Sequence, residues 1–348
     1  MAGGDLGYLG LVGGARQLLR VAAVQAHPAW LDPEAGARLV VGWLEQAGRE
    51  GVELAAFPES FLPGYPFWVM LEGGERMGEP RQLGAYRRYI EAAVRLDGPE
   101  LAQIIEAARD LGVFCYLGIA ERGTGPARGS VYATLVAIDP NHGIVSAHRK
   151  LKPTYTERTV WADGDGHGLR VHELTEGVRV GGLNCWENWM PLARFALYAA
   201  GEDVHVLAFP GSRWGTELIT RAAAFEGRVF TIAASGLLGA DDVPEDFPLR
   251  EAIVSKPAGW YDGGSCIAGP DGQWVVEPVV GEERLVIADL EIGRVSAARH
   301  LFDPTGHYHR PDVFGVSVDR SRRVAATFDD GATDGAPAGI TASSASES

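Results

Sequence analysis

Cysteine is scarce in this chain: 348 residues hold three, Cys115, Cys185 and Cys266. They form no CxxC pair, and an odd count in a chain this long argues against a disulfide framework. A reducing, cytoplasmic setting is expected. Positive charge is also in deficit, with 31 Lys and Arg against 46 Asp and Glu and a net charge of −15. A phosphate-backbone binder needs a basic footprint, so nucleic acid is disfavoured as a partner. No apolar run approaches the ~18 residues of a membrane span, so no membrane partner is expected. The apolar stretch from Leu18 to Ala26 lacks a basic segment ahead of it, follows Asp5 and is interrupted by Arg20. It reads as a strand and not as a signal peptide. The nine histidines include no HExxH, and GxSxG is absent. That removes the common zinc-protease and α/β-hydrolase patterns.

What is present is an alternation of apolar strands and amphipathic helices. Residues 1–18 read as a flexible, Gly-rich extension. Leu19 to Gln25 reads as a buried strand. Asp32 can cap a helix opened by Pro33, with Leu39, Val40, Trp43 and Leu44 on one face. Gly51 ends it, and Val52 to Phe57 forms the next strand, a unit that calls for parallel pairing. Two helices are expected within 84–111, broken near Asp97-Gly98-Pro99. Hairpins follow: 113–120 leads to 131–138, which turns through Asp139 to Gly143 into 144–148; 169–174 pairs with 178–183; and 265–268 pairs with 274–277. Strands at 204–209, 229–234 and 285–290 and a helix at 216–226 complete the pattern. No Pro/Ser-rich linker divides residues 19–315, so one domain with two mixed, helix-covered sheets is expected. Residues 316–348 form a C-terminal extension. From about residue 329 it has too few large apolar side chains to offset ordering entropy, so disorder is expected there.

Three strand ends carry chemistry. Glu59 follows a buried strand between Phe57 and Phe61, where desolvation raises a carboxyl pKa and makes it a usable base. Lys150 lies in the basic run His148-Arg149-Lys150-Leu151-Lys152, a pattern more often found on a solvated face. Cys185 ends the strand at 178–183, ahead of a helix opened by Pro191. A helix N-terminus lowers a thiol pKa, so Cys185 is a nucleophile candidate; a lone buried cysteine is otherwise a small hydrophobe. Cys115 and Cys266 read as core residues. Gly164-Asp165-Gly166-His167-Gly168 does not follow a strand and open a helix, so it is not read as a phosphate loop. Together the three side chains supply a nucleophile, a base and a cation for developing negative charge.

The segments Phe-Pro-Glu-Ser-Phe-Leu-Pro-Gly-Tyr-Pro, Arg-Lys-Leu-Lys-Pro-Thr-Tyr-Thr-Glu-Arg and Asn-Cys-Trp-Glu-Asn-Trp-Met-Pro resemble the three catalytic motifs of the nitrilases, within the carbon–nitrogen hydrolase superfamily. The C-terminal segments 263–267 and 306–314 are similar too, so the resemblance covers about residues 19–315. It implies an α/β fold, a four-layer α-β-β-α sandwich with two mixed sheets. It assigns the base to Glu59, the cation to Lys150 and not Lys152, the nucleophile to Cys185, and a supporting carboxylate to Glu157. It implies hydrolysis of a small-molecule nitrile to acid and ammonia without metal or organic cofactor. Amidase, cyanide-hydrolysing and non-catalytic assembly alternatives stay open. It also implies homodimers that extend into larger homo-oligomers or spirals. Tyr65, Trp161, Trp186 and Trp189 cluster near the motifs and are candidate pocket walls. Ser60 and Trp189 depart from the familiar motif residues, which bears on pocket size.

Overall fold

A computed structural model describes residues 18–326 except 72, 75 and 256–260. The expected loose N-terminal segment, save Leu18, and the expected disorder from residue 329 lie outside the described residues.

The chain opens with β1 (Leu18–Gln25), α1 (Pro33–Arg49) and β2 (Leu54–Ala56). Asp32 caps α1 by accepting the Ala35 N–H at 2.9 Å, and Ala37, Val40, Leu44 and Ala47 bury one face. Next come α2 (Pro80–Ala92), α3 (Pro99–Leu111), β3 (Phe114–Arg122), β4 (Val131–Asp139) and β5 (Gly143–Arg149). The second half holds β6 (His172–Thr175), β7 (Val178–Asn184), α4 (Pro191–Ala199), β8 (Val204–Phe209), α5 (Arg213–Gly227) and β9 (Phe230–Ser235). It closes with β10 (Leu237–Leu238), α6 (Arg250–Val254), β11 (Tyr261–Ala268), β12 (Trp274–Val280), β13 (Arg284–Glu291) and α7 (Gly293–Leu301).

Two mixed sheets result. The first runs β13-β1-β2-β3-β4-β5; β1, β2 and β3 are parallel and the flanking pairs antiparallel. The second runs β10-β11-β9-β8-β7-β6, with β12 on β11 and parallel pairing at β7-β8-β9. Strand alternation builds the layers. Val204, Val206 and Ala208 of β8 face Val21, Tyr116 and Leu135 of the first sheet in the inter-sheet core, while Leu207 and Phe209 face α5. On the other side Val40 and Leu44 of α1 pack on Ala22 and Val24. The expected α-β-β-α sandwich is the observed architecture.

Several boundaries differ from the sequence reading. Helix α2 starts at Pro80 instead of residue 84, because Glu79 caps it by accepting the Gln82 N–H at 2.6 Å. Strand β6 starts at His172 instead of residue 169, because 166–168 form a 3-10 turn. Cys266 lies inside β11 and not at its start, since the strand begins at Tyr261. Helices α6 and α7 were not anticipated; α7 buries only Val295 and Ala298, too sparse a stripe to read. The C-terminal extension contacts the domain as far as Arg323: Arg322 pairs with Asp165 at 3.1 Å, and the Arg323 N–H donates to the same carboxylate at 3.0 Å.

Strand ends converge on one point. The Glu59 N–H, just past β2 in the first sheet, donates to the Phe209 carbonyl at the end of β8 in the second, at 3.2 Å. Gly118 in β3 lets this turn approach: a Cβ there would lie 2.1 Å from the Pro58 oxygen and 2.7 Å from the Glu59 Cα. Gly118→Ala is expected to destabilise the fold by about 1–3 kcal/mol through this overlap. Gly129→Ala, where a Cβ meets open space, is the control. Denaturant melts of both decide it; equal midpoints would show that the Glu59 turn yields freely.

Candidate active site

Glu59, Lys150 and Cys185 each sit one to three residues beyond a strand, at the ends of β2, β5 and β7. Each neighbourhood contains a residue forced into the left-handed region: Ser60 at φ 50°, Tyr155 at φ 47° and Cys185 itself at φ 44°. Such backbone costs about 1–3 kcal/mol per residue and persists only where packing enforces it. The turns Tyr155–Thr159 and Cys185–Trp189 share one construction. In each, a glutamate three residues past the cap accepts the cap's own N–H: Glu157 from Thr154 at 2.6 Å, and Glu187 from Asn184 at 3.1 Å.

The side chains meet in a water-poor cluster. Glu59, Lys150 and Glu157 are 1%, 1% and 2% exposed and Cys185 is 4% exposed. The Lys150 ammonium lies 2.8 Å from Glu59 and 2.7 Å from Glu157. One ligand atom each of Glu59, Glu157 and Cys185 lies within 4.8 Å of the others, a spacing that could suit a metal ion; here the ammonium sits between the two carboxylates. The basic run is therefore split, with His148 and Lys150 buried while Lys152 is exposed beside Asp163 at 2.7 Å.

The two carboxylates are held differently. Glu157 accepts from Lys150, from the Thr154 N–H and from the Tyr65 hydroxyl at 2.6 Å. Glu59 has the ammonium beside it but accepts no well-aligned hydrogen bond. Burial pushes Glu59 up to about 8, with Lys150 opposing and the Glu157 charge reinforcing the shift. This is the direction expected from Phe57 and Phe61, both buried around it. Burial and the Glu59 charge push the Cys185 thiol well above its ordinary value, against the pull of Lys150 and the Trp186 backbone N–H. The sequence reading expected a lowered thiol pKa. Helix α4 starts only at Pro191, beyond an intervening 3-10 turn, and a helix dipole acts within about one turn.

Of the four candidate aromatics, two reach the cluster. Tyr65 hydrogen-bonds Glu157, and the Trp161 ring lies 5.5 Å from the Lys150 nitrogen. Trp186 and Trp189 do not: they line an open surface groove of about 780 Å³ with Trp214, Leu218 and Phe225. A 3-10 turn has three residues per turn, so 186 and 189 share one face, and it is the outer one. The cavity at Glu59 is small, about 10 Å³, close to one water molecule's space. Its walls include Pro210, Leu237, Leu238 and Tyr261, none of which the sequence reading singled out.

Fold and cluster together define a class: four-layer sandwiches with a buried Glu-Lys-Cys group where the strands end. The chain belongs to the carbon–nitrogen hydrolase family, whose profile matches residues 20–300. It is 38% identical over 311 residues to "Nitrilase 2" of an unknown prokaryotic organism, covering 89% of this chain and 95% of that protein. It is 34% identical over 316 residues to an aliphatic nitrilase of Rhodococcus rhodochrous, covering 86% and 79%. Among solved structures, a CN-hydrolase superfamily protein of Xanthomonas campestris with an arsenic adduct in its active site superposes with a TM-score of 0.62. That match has 20% identity and covers 83% of this chain and 96% of the other.

Cys115 and Cys266 are fully buried, so alkylation of the native protein reports on Cys185. Its raised pKa implies a rate with iodoacetamide that keeps climbing above pH 8.5, the ordinary thiol range. Peptide mass mapping across pH 6–10 measures this; a plateau already reached at pH 7 would contradict the electrostatics described.

Proposed function

We propose that the protein is a nitrilase that hydrolyses a compact organic nitrile to its carboxylic acid and ammonia. The observation that carries this reading is the placement of a thiol, a carboxylate held near 8 and an ammonium in one buried cluster. Relatives named as nitrilases support it over the amidase alternative.

In this reading Glu59 takes the Cys185 proton as the sulfur adds to the nitrile carbon, and passes it to the nitrile nitrogen. A thioimidate forms without net charge leaving the site. Glu59, again a carboxylate, draws a proton from water as the oxygen adds to the same carbon. Glu59 hands that proton to the nitrogen. The hydroxyl left on carbon gives up its own proton to the nitrogen through Glu59 as the carbonyl forms and the C–N bond breaks, so ammonia leaves and a thioester remains. A second water, activated the same way, releases the acid and restores the thiol. Lys150 stands beside the developing negative charge, and the Trp186 N–H is a second donor. Glu157 and Tyr65 hold Lys150 in place.

We further propose a homodimer formed through the outer α-layer, built on Trp186, Trp189, Leu192, Trp214, Leu218 and Phe225, which are 38–77% exposed and apolar. A contiguous face of this kind marks an interaction surface. A reducing, cytoplasmic setting fits three unpaired, buried thiols. No helix among the described residues is long and apolar enough to cross a membrane.

Ammonia release is expected from nitriles and not from the matching amides, and Cys185→Ala abolishes it. Turnover of amides alone moves the assignment to amidase. The rate should rise with pH along a limb displaced from the carboxylate range toward 8, because Glu59 must lose its proton to act. A limb centred near pH 4.5 would remove Glu59 from that role. Leu218→Arg should yield a monomer in light scattering; an unchanged mass would remove α5 from the interface.

A further inference from the structure

Glu187 takes no part in the chemistry above, yet it is 1% exposed and fully committed. Its Oε1 accepts the Leu151 N–H at 2.7 Å, and its Oε2 accepts the Asn184 N–H at 3.1 Å. The His148 Nε2 lies 2.9 Å from Oε2 and 3.0 Å from Oε1. Leu151 is the residue after Lys150, His148 is two before it, and Asn184 is the residue before Cys185. One carboxylate therefore ties the end of β5, in the first sheet, to the end of β7, in the second. Glu157 grips the lysine by its ammonium; Glu187 grips the N–H of the next residue, Leu151, and joins that stretch of backbone to the nucleophile's turn. Burial disfavours the charge on Glu187, but His148 and the two N–H donors outweigh it and hold the carboxyl below its ordinary value, so the clamp is charged at neutral pH.

We propose that Glu187 is a positioning residue that sets the separation of Lys150 from Cys185. Resting on the nitrilase reading, this extends it from the groups that react to the group that spaces them. Glu187→Gln keeps the shape but sets an NH2 group against one of the two N–H donors. A displacement near 1 Å at a reacting pair lowers turnover about 100-fold. The expected result is a kcat lowered about that much, with KM changed less than threefold, in a protein that melts as a folded domain.

Tyr116→Phe is the matched control. Its hydroxyl donates to the Val180 carbonyl at 3.2 Å, an equally buried link between the sheets that touches neither catalytic turn. It should melt lower and keep its kcat. His148→Asn, which leaves both N–H contacts in place, should lose about tenfold and serves if Glu187→Gln does not fold. Cys185 alkylation by iodoacetamide at pH 8 is read in parallel. A lysine moved from the thiol slows it in Glu187→Gln by at least about fivefold and leaves Tyr116→Phe unchanged. Because alkylation needs no nitrile, a wild-type protein inert to nitriles overturns the substrate assignment alone. The clamp is overturned if Glu187→Gln, or His148→Asn in its place, keeps both readouts within twofold of wild type. It is equally overturned if Tyr116→Phe loses as much.

Discussion

A single ammonium between two buried carboxylates is the constraint on which the site depends. Lys150 can neutralise one of its neighbours, and the protein decides which by supplying donors. Glu157 receives three of them, while Glu59 has the ammonium beside it and no well-aligned hydrogen bond. Desolvation then outweighs the opposing pull of Lys150 at the less well-held carboxylate and lifts Glu59 to about 8. Two chemically identical groups acquire different surroundings, and the proposed mechanism gives them different tasks: Glu157 anchors the ammonium and Glu59 exchanges a proton. Removing Lys150 would leave two buried carboxylates facing each other, so this residue organises the site whatever part it takes in the proposed reaction.

The sandwich makes that cluster possible because its two sheets present strand ends on a common side. Ligand sites outside the carboxyl ends of parallel strands are a general outcome of α/β topology. Here the opening is bridged from both sheets: Glu59 leans onto the Phe209 carbonyl, and Glu187 spans Leu151 and Asn184. Left-handed residues at each turn bend the chain sharply enough to aim the side chains inward. Gly118 and Gly164 leave room behind them; a Cβ on Gly164 would lie 2.6 Å from the Lys150 carbonyl oxygen. Rigid strands and strained turns thus divide the work between holding position and directing groups.

Much of this was legible in the sequence where the signal is local. The Asp32-Pro33 helix start, the hairpins and the strand-end positions of Glu59, Lys150 and Cys185 all follow from adjacent residues. What escaped acts across distance. His148 and Glu187 are 39 positions apart, and each reads as an ordinary polar residue until the sheets stack. Gly118 looks like any glycine in a strand, because its constraint comes from Pro58 and Glu59 on another segment. Trp186 and Trp189 were placed beside the nucleophile on sequence proximity alone. A three-residue period buries Cys185 and Asn188 and turns the two tryptophans outward.

The raised thiol pKa bears on how such a site can work. A cysteine next to a helix N-terminus with a free positive charge would rest as a thiolate, and its proton would be lost to solvent. Here the Lys150 ammonium is already shared by two carboxylates, and the thiol faces one of them. In the proposed reaction the proton then passes between sulfur and Glu59 without leaving the cluster. A nitrile nitrogen becomes basic only as the sulfur adds to its carbon, so a proton held within reach is more useful than one surrendered beforehand. On this view the unfavourable burial of Cys185 and Glu59 is functional. It keeps a single mobile proton between them, and nucleophile activation and nitrogen protonation become parts of one transfer.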